Sequence, residues 1–268
     1  MKISVLVNDK AKEGCTEEHG LSLFIEHNGK NILFDTGDEA AIFENAEKLG
    51  VDLAKVDVLV LSHGHHDHTN AIESLWDKEI KPKVVCHEKV FVKRYDKKGD
   101  IYIGAPVTKF EVESEAELVM TKEPLEIMPK VFFLGEITRK SDFEGRRNIG
   151  YYFDNDRKKD DFVVDDSALA IKTDKGLAVI VGCSHSGITN ICEHAKKVTG
   201  EEKIYALIGG LHLHDAYPNI IAKTIEYLRS QEIEIFVPLH CTGEETIKAF
   251  KEEALGFKEV LAGESIEL

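Results

Sequence analysis

The 268-residue sequence predicts a mixed α/β fold, because short apolar runs alternate with stretches of helical spacing in its C-terminal half. The runs AVIVG, YALIGG and IFVPL are each followed within a few residues by a histidine and then by a helical pattern. Paired apolar runs around Asn28-Gly29 and around Asp174-Lys175-Gly176 add predicted hairpins. We therefore expect antiparallel strands combined with strand–helix units, around a core that needs no disulfide bonds.

The N-terminal part is predicted to begin as antiparallel sheet, with KISVLV followed by the hairpin LSLFIEHNGKNILF. From Asp38 the sequence DEAAIFENAEKLG has helical spacing, an acidic first turn and a terminal Gly50. It leads into the apolar run Val58–Leu61, a predicted buried strand, and KVVCHE at 83–88 is a further short strand. From about 97 to 161 the helical pattern fails, so we expect an inserted loop and β segment, or cap, in a single domain of residues 1–268.

The C-terminal part is predicted to hold three strand–helix units. Their helices lie around ITNICEHAKKV, NIIAKTIEYLRS and EETIKAFKEEAL, and their strands end near His185, His212 and His240. Because sites in α/β sheets form where strands end, these repeated histidines predict one shared site.

Composition and charge exclude several classes of protein. The 34 basic and 49 acidic residues give a net charge of −15, which disfavours a nucleic-acid partner. The sequence contains no apolar run of membrane-spanning length and no signal-peptide pattern, so we expect a cytoplasmic protein without a membrane partner. The five cysteines form no CxxC motif, which argues against a disulfide framework.

A segment that follows the predicted strand Val58–Leu61 has the spacing of metal ligands, H-x-H-x-D-H. In an extended segment His63 and His65 project to the same side and can bind one metal ion. Asp67 and His68 follow after the chain begins to turn, and they can face a second ion. Imidazoles with one carboxylate suit Zn²⁺, and Mn²⁺ or Fe would accept the same set.

The segments HGLS, FDTG, LSHGHHDHT, VGCSHSGI, GGLHL and PLHCTG resemble the metallo-β-lactamase superfamily. Within it they are most similar to the branch named after the dihydropterin–ribofuranosylaminobenzene phosphate synthase of methanopterin biosynthesis. The resemblance implies a four-layer αβ/βα sandwich along nearly the whole chain. It also implies two divalent metal ions, with zinc first and manganese or iron as alternatives.

The resemblance carries ligand roles to individual residues. It implies that His63 and His65 bind metal one and that Asp67, His68 and His240 bind metal two. The superfamily usually bridges its metals with an aspartate after a glycine, whereas here Cys183 follows Gly182. Cys183 is thus either a thiolate ligand or a packed thiol, and His185 is the candidate that completes metal one. The usual upstream histidine is missing, and Asp165 and Asp166 stand in that region as alternative ligands.

Two residues are candidates for catalysis. Asp67 is expected to orient the water nucleophile and take its proton, and His212 to contact substrate or transfer a proton. The resemblance implies that Asp35 of FDTG orients a metal-binding histidine. Cys241 is expected to pack beside His240. The stretch 139–159 holds seven basic and four acidic residues, which predicts either a patch for an anionic substrate or an ordinary charged loop.

The leading functional hypothesis is a dimetal hydrolase that uses a metal-activated water on an ester or phosphoester of a small molecule. One alternative is a methanopterin-type transferase that joins a dihydropterin to an aromatic amine ribose phosphate. Another is an iron-binding redox or sensing protein without hydrolytic activity. The expected partner is a small molecule, with an anionic or phosphorylated one as an option, and the sequence does not indicate the oligomeric state.

Overall fold

The computed structural model describes residues 1–98, 101–154, 156–253 and 256–268. These residues form two units, each with its own sheet and core. Unit 1 comprises residues 1–121, 148–161 and 260–268, and unit 2 comprises residues 122–147 and 162–259. Helices of the described residues are too short or too polar to cross a membrane.

Unit 1 is built on a mixed sheet with the strand order β16-β1-β2-β3-β4-β5-β7. Its strands are β1 (Lys2–Val7), β2 (Ser22–His27), β3 (Lys30–Phe34), β4 (Val58–Val60), β5 (Lys83–Cys86), β7 (Leu118–Met120) and β16 (Ser265–Glu267). The β2–β3 hairpin turns at Asn28 and Gly29, which both have positive φ, as the asparagine–glycine pair predicts. Strands β3, β4, β5 and β7 pair in parallel, so their carboxyl ends share one edge of the sheet.

The helices of unit 1 are α1 (Ala41–Leu49), α2 (His66–Thr69), α3 (Ile72–Asp77) and α4 (Lys109–Glu115). The expectation that no helix lies between 97 and 161 is wrong, because α4 occupies part of this range. Thr108 and Glu111 form a capping box at its start, with the Thr108 N–H donating to Glu111 Oε2 at 2.7 Å. Val112 of α4 is buried while Phe110 is exposed, and this weak apolar pattern explains why periodicity missed the helix.

A small antiparallel sheet also belongs to unit 1, with the order β11-β10-β6. Its strands are β6 (Arg94–Asp96), β10 (Gly150–Asp154) and β11 (Arg157–Asp161). The stretch 97–161 thus contributes to both units, since residues 122–147 belong to unit 2. In consequence the seven basic residues of 139–159 divide between the units, with Arg157, Lys158 and Lys159 on β11.

Unit 2 is built on a sheet with the order β15-β14-β13-β12-β9-β8. Its strands are β8 (Leu125–Met128), β9 (Val131–Phe133), β12 (Ala168–Thr173), β13 (Gly176–Val181), β14 (Ile204–Gly210) and β15 (Ile235–Leu239). The predicted β12–β13 hairpin is confirmed, with Thr173 paired to Gly176. Strands β13, β14 and β15 pair in parallel and are buried along their whole lengths.

The predicted strand–helix units are confirmed: α5 (Ile188–Thr199), α6 (Pro218–Ser230) and α7 (Glu244–Glu253) follow β13, β14 and β15. Apolar side chains of these helices pack with the sheet into one core, which includes Ile191, Leu228 and Phe250. The predicted end of the last helix, Ala254 and Leu255, lies outside the described residues. Parallel pairing places the segments that follow β13, β14 and β15 at one edge of the unit 2 sheet.

Candidate metal centre

The H-x-H-x-D-H segment of unit 1 forms a buried cluster just beyond the end of β4. His63, His65, Asp67 and His68 are all less than 9% exposed. Nε2 of His63 lies 2.9 Å from Nδ1 of His65, and the rings of His63 and His68 have centroids 4.3 Å apart. Asp67 Oδ2 lies 3.7 Å from His68 Nε2. The structure therefore brings together the imidazoles and the carboxylate that the spacing singled out.

The main chain within this segment requires glycine between the first two histidines. A Cβ added to Gly64 would lie 1.9 Å from the carbonyl oxygen of Val90. The loop after β5 thus packs directly against the histidine segment. Burial, together with the charges of His68 and His65, lowers the pKa of His63 well below its ordinary value, so His63 is neutral near pH 7.

Asp35, the residue after β3, forms hydrogen bonds to this cluster through its carboxylate. It is fully buried and has a φ of 59°. Its Oδ2 accepts hydrogen bonds from Ser62 Oγ at 2.6 Å and His68 Nδ1 at 2.7 Å, and its Oδ1 accepts from Ser62 N at 2.7 Å. Because His68 Nδ1 donates to Asp35, its Nε2 is the ring nitrogen left to face Asp67. The sequence predicted that Asp35 orients a histidine, and the structure identifies that histidine as His68.

The other histidines near the segment have separate environments. His66 contacts Asp38, with Nδ1 3.2 Å from Oδ1. His19 contacts Asp67, with Nε2 3.5 Å from Oδ2, and Asp9, with Nδ1 3.1 Å from Oδ1. In the sequence, His19 stands in the HGLS segment, just before the first hairpin. The HGLS segment was the available signal, but spacing alone could not show its contact with Asp67.

Unit 2 carries a second cluster at the carboxyl edge of its parallel strands. Cys183 and His185 follow β13, His212 follows β14, and His240 and Cys241 follow β15. The Sγ atoms of Cys183 and Cys241 are 3.5 Å apart, and the rings of His185 and His212 have centroids 4.3 Å apart. These residues are buried except for His212, which is half-buried. The three strand-end histidines thus lie along one edge of the unit 2 sheet, as predicted.

The groups around the Cys241 thiol lower its pKa. Burial raises the pKa of the Cys241 thiol, but its contact with Cys183 and the charges of His240 and His212 outweigh this, and the pKa lies well below its ordinary value. Cys241 was expected only to pack beside His240. The structure instead places its sulfur against a second sulfur and in the field of two imidazoles.

Asp166 positions the turn that carries His185. Its Oδ2 accepts a hydrogen bond from Ser186 N at 2.8 Å, and its side chain is fully buried. Burial raises the pKa of Asp166 to about 6, more than the hydrogen bond from Ser186 lowers it. The sequence left Asp165 and Asp166 as alternative ligands. The structure shows Asp166 in contact with the backbone next to His185.

A cavity of 550 Å³ in unit 2 reaches the side chains of His185 and His212. Apolar groups of Phe143, Ile188 and Tyr217 form part of its wall. Charged groups also line the cavity, namely Glu144, Arg146, Arg147 and Asp215. Arg147 binds both carboxylate oxygens of Asp215, and this hydrogen bonding lowers the pKa of Asp215 to about 2.

The segment 139–147, of which residues 143–147 line the cavity, is attached to the start of α5. Arg139 donates to the carbonyl oxygens of Gly145 at 2.9 Å and Val163 at 2.6 Å, and to Ser186 Oγ at 3.1 Å. Asn190 Oδ1 accepts from the backbone N–H groups of residues 140 and 141, each at 2.8 Å. These hydrogen bonds fix the basic stretch next to the turn that carries His185.

This combination of fold and clustered imidazole, thiol and carboxylate groups is typical of metal-dependent enzymes of one large class. The chain belongs to the metallo-beta-lactamase superfamily, whose family model matches residues 15–196. The mixed α/β fold expected from the sequence is confirmed, and it matches the fold of a solved hydrolase of this superfamily.

Three known proteins are similar to this chain. The chain is 36% identical to the 7,8-dihydropterin-6-methyl-4-(beta-D-ribofuranosyl)-aminobenzene-5'-phosphate synthase of Methanocaldococcus jannaschii, covering 97% of this chain and 92% of the synthase. A solved metal-dependent hydrolase of the beta-lactamase superfamily is 31% identical, with a TM-score of 0.88 over 100% of this chain and 99% of the hydrolase. The metallo-beta-lactamase fold protein YhfI from Bacillus subtilis shares the fold at 14% identity, with a TM-score of 0.58 over 99% of each chain.

Proposed function

We propose that the protein is a hydrolase whose activity depends on two divalent metal ions. The observation that carries this proposal is the buried donor set of unit 1, in which His63 and His65 nitrogens lie 2.9 Å apart. The sequence resemblance proposes His63, His65, Asp67 and His68 as metal ligands of unit 1, and Cys183, His185 and His240 as metal ligands of unit 2. Membership of the metallo-beta-lactamase superfamily supports metal binding by this chain.

The chemistry of the donors fits the metals of this family. Imidazole nitrogen, carboxylate oxygen and thiolate sulfur together match the preferences of Zn²⁺, and we propose zinc as the resident metal. A bound divalent ion supplies Lewis acidity and lowers the pKa of water toward neutrality. We assign proton transfer and the orientation of the ligands to the side chains around the ion.

Asp67 and Asp35 have different proposed roles. Asp67 is slightly exposed and faces His19 and His68, so we assign it the proton that leaves the attacking water. Asp35 is fully buried, and its hydrogen bond to His68 Nδ1 fixes the ring orientation in which Nε2 can bind metal. The role of His212 in substrate contact or proton transfer stays a prediction that the cavity supports, because its ring lines the cavity wall.

The cavity of unit 2 supports a small anionic substrate with an apolar portion. Phe143 and Tyr217 offer aromatic surface to a ring, and Arg146 offers an exposed guanidinium to a phosphate or carboxylate. A volume of 550 Å³ lies within the range of roughly 300–1,000 Å³ typical of small-molecule sites. We therefore propose an ester or phosphoester of this character as the substrate.

One comparison favours a second candidate function. The relative with 36% identity along nearly the whole chain is named a synthase, and its name describes a pterin joined to an aminobenzene ribofuranosyl phosphate. A transferase acting on such compounds would use the same apolar and basic groups of the cavity. Hydrolysis and transfer differ in whether water or an aromatic amine is the nucleophile, which a product assay resolves.

The test combines metal analysis with a substrate panel. The purified protein is analysed for zinc, manganese and iron, and it is assayed on phosphomonoester, phosphodiester, thioester and lactone substrates and on a dihydropterin diphosphate with an aromatic amine phosphate. Zinc with turnover of an ester in water supports the hydrolase. Product formation only with the amine supports the transferase, and iron without turnover of any substrate would contradict both.

Variants within the histidine segment make the test specific. His63→Ala is expected to lower metal content and turnover, because it removes one imidazole from the proposed ligands. His66→Ala is the matched control, since His66 lies in the same segment but contacts Asp38. Equal metal content in both variants would overturn the ligand assignment.

A further inference from the structure

Two cysteines lie side by side at the carboxyl edge of the unit 2 sheet, although 57 residues separate them in the chain. The Sγ atoms of Cys183 and Cys241 are 3.5 Å apart, and the residues are 3% and 8% exposed. Two thiolates on one tetrahedral zinc ion lie about 3.8 Å apart, because each Zn–S bond is about 2.3 Å long. The sulfur pair therefore has a spacing close to that of ligands sharing an ion.

His212 completes a triad with these two sulfurs. One ligand atom from each of Cys183, His212 and Cys241 lies within 4.8 Å of the other two. The backbone N–H of His212 also donates to Cys241 Sγ at 3.2 Å. This hydrogen bond holds residue 212 next to the Cys241 sulfur.

The backbone that presents these residues is constrained at each strand end. Ser184, His212 and Cys241 have φ values of 59°, 49° and 55°, which residues with a Cβ rarely adopt. A Cβ added to Gly210 would lie 2.5 Å from the carbonyl oxygens of Gly182 and His240. Strained backbone persists where the surrounding structure imposes it, and it is concentrated at ligand-binding positions.

We propose that Cys183, His212 and Cys241 form a thiolate-rich site for a soft divalent cation, zinc or ferrous iron, within unit 2. Two sulfurs and one imidazole leave one coordination position open, as in metal sites that bind a further ligand. For His212 this ligand role is an alternative to the substrate contact or proton transfer expected above, and for Cys241 it takes the place of simple packing. The site needs no ligand from unit 1, although Cys183 is also a ligand in the proposed hydrolase.

The test uses the full-length protein, reduced and freed of metal by a chelator, with Co²⁺ alone as the probe. Cobalt bound by thiolates absorbs in the near ultraviolet, and the absorbance per bound ion rises with the number of Co–S bonds. We expect a strong band in the unaltered protein, about half of it in Cys241→Ser, and none in the double variant Cys183→Ser/Cys241→Ser. His212→Ala is expected to weaken cobalt binding about 10-fold or more, because it removes one of three proposed ligands and the loss of even a ligand's hydrogen-bond partner costs about 10- to 100-fold.

Two control variants separate this proposal from general damage and from the proposed function. Cys15→Ser changes a half-buried thiol of unit 1 and is expected to leave the band unchanged. His63→Ala removes a unit 1 imidazole and is also expected to leave the band in place, whether or not the hydrolase proposal holds.

The outcomes against the proposal are equally definite. A reduced wild-type protein without the band overturns it, and so does a Cys241→Ser variant with the full band. If Cys241→Ser does not fold, as judged by far-ultraviolet circular dichroism, His212→Ala decides: unchanged cobalt affinity in that variant overturns the site.

Discussion

Glu144 is expected to make the stability of the protein fall as the pH rises from about 5 to 7. Its carboxylate lies at the start of α5, where Oε1 accepts a hydrogen bond from Asn190 N at 3.1 Å. Burial raises the pKa of Glu144 to about 7, because loss of hydration outweighs the hydrogen bonds from Thr189, Asn190 and Ile188. Folded Glu144 therefore keeps its proton over a range in which the unfolded chain has lost it.

The sign and size of the effect follow from this difference in pKa. Between the ordinary value of 4.5 and about 7, the folded state binds one more proton than the unfolded state, so the free energy of unfolding decreases as pH rises. Above about 7 both states are ionised and the dependence ends. One pKa unit corresponds to about 1.4 kcal/mol, so the whole shift sets an upper limit of about 3.5 kcal/mol for Glu144, of which about 3 kcal/mol falls between pH 5 and 7.

The assay is urea unfolding of Glu144→Gln and wild-type protein at pH values from 5 to 8. The glutamine amide does not titrate, so the wild type is expected to lose up to about 3 kcal/mol more stability across this range than the variant. Glu252→Gln, at an exposed position of α7, is the matched control and is expected to follow the wild type. Parallel pH curves for wild type and Glu144→Gln would refute the reasoning.

Three further expectations concern metal and substrate. Asp35→Asn should lower metal affinity about 10- to 100-fold, because the hydrogen bond that orients His68 is weakened. Competition with a chromophoric chelator measures the affinity, and an unchanged affinity would contradict the orienting role of Asp35. Arg146→Ala should raise the KM of an anionic substrate with little change in kcat. The control variant Arg157→Ala, on β11, should leave the KM unchanged. Equal KM values in both variants would exclude Arg146 from substrate binding. Chelation of metal should lower the melting temperature, since ligands that bind only the folded state stabilise it, and a scan with and without added Zn²⁺ checks this.

Local sequence patterns determined much of the fold and of the metal-binding segment. The Asn28-Gly29 turn needs positive φ at both residues, a requirement that few other pairs meet as easily, so its hairpin could be predicted from two residues. The strand–helix units of the C-terminal part follow from short apolar runs and helical spacing. The H-x-H-x-D-H spacing identified the unit 1 cluster because all its members lie in one short segment, residues 63–68.

Only the tertiary structure decided which distant groups meet. Cys183 and Cys241 face each other because β13 and β15 flank β14 in parallel register, and neither the strand order nor the register is encoded in either cysteine's neighbours. Asp35 reaches His68 for the same reason, since β3 and β4 pair in parallel and end together. The pKa of Glu144 depends on its burial at the start of α5, a property of packing. Strand pairing and the burial of a side chain depend on contacts between residues that are far apart in the chain. A local sequence pattern therefore cannot predict them.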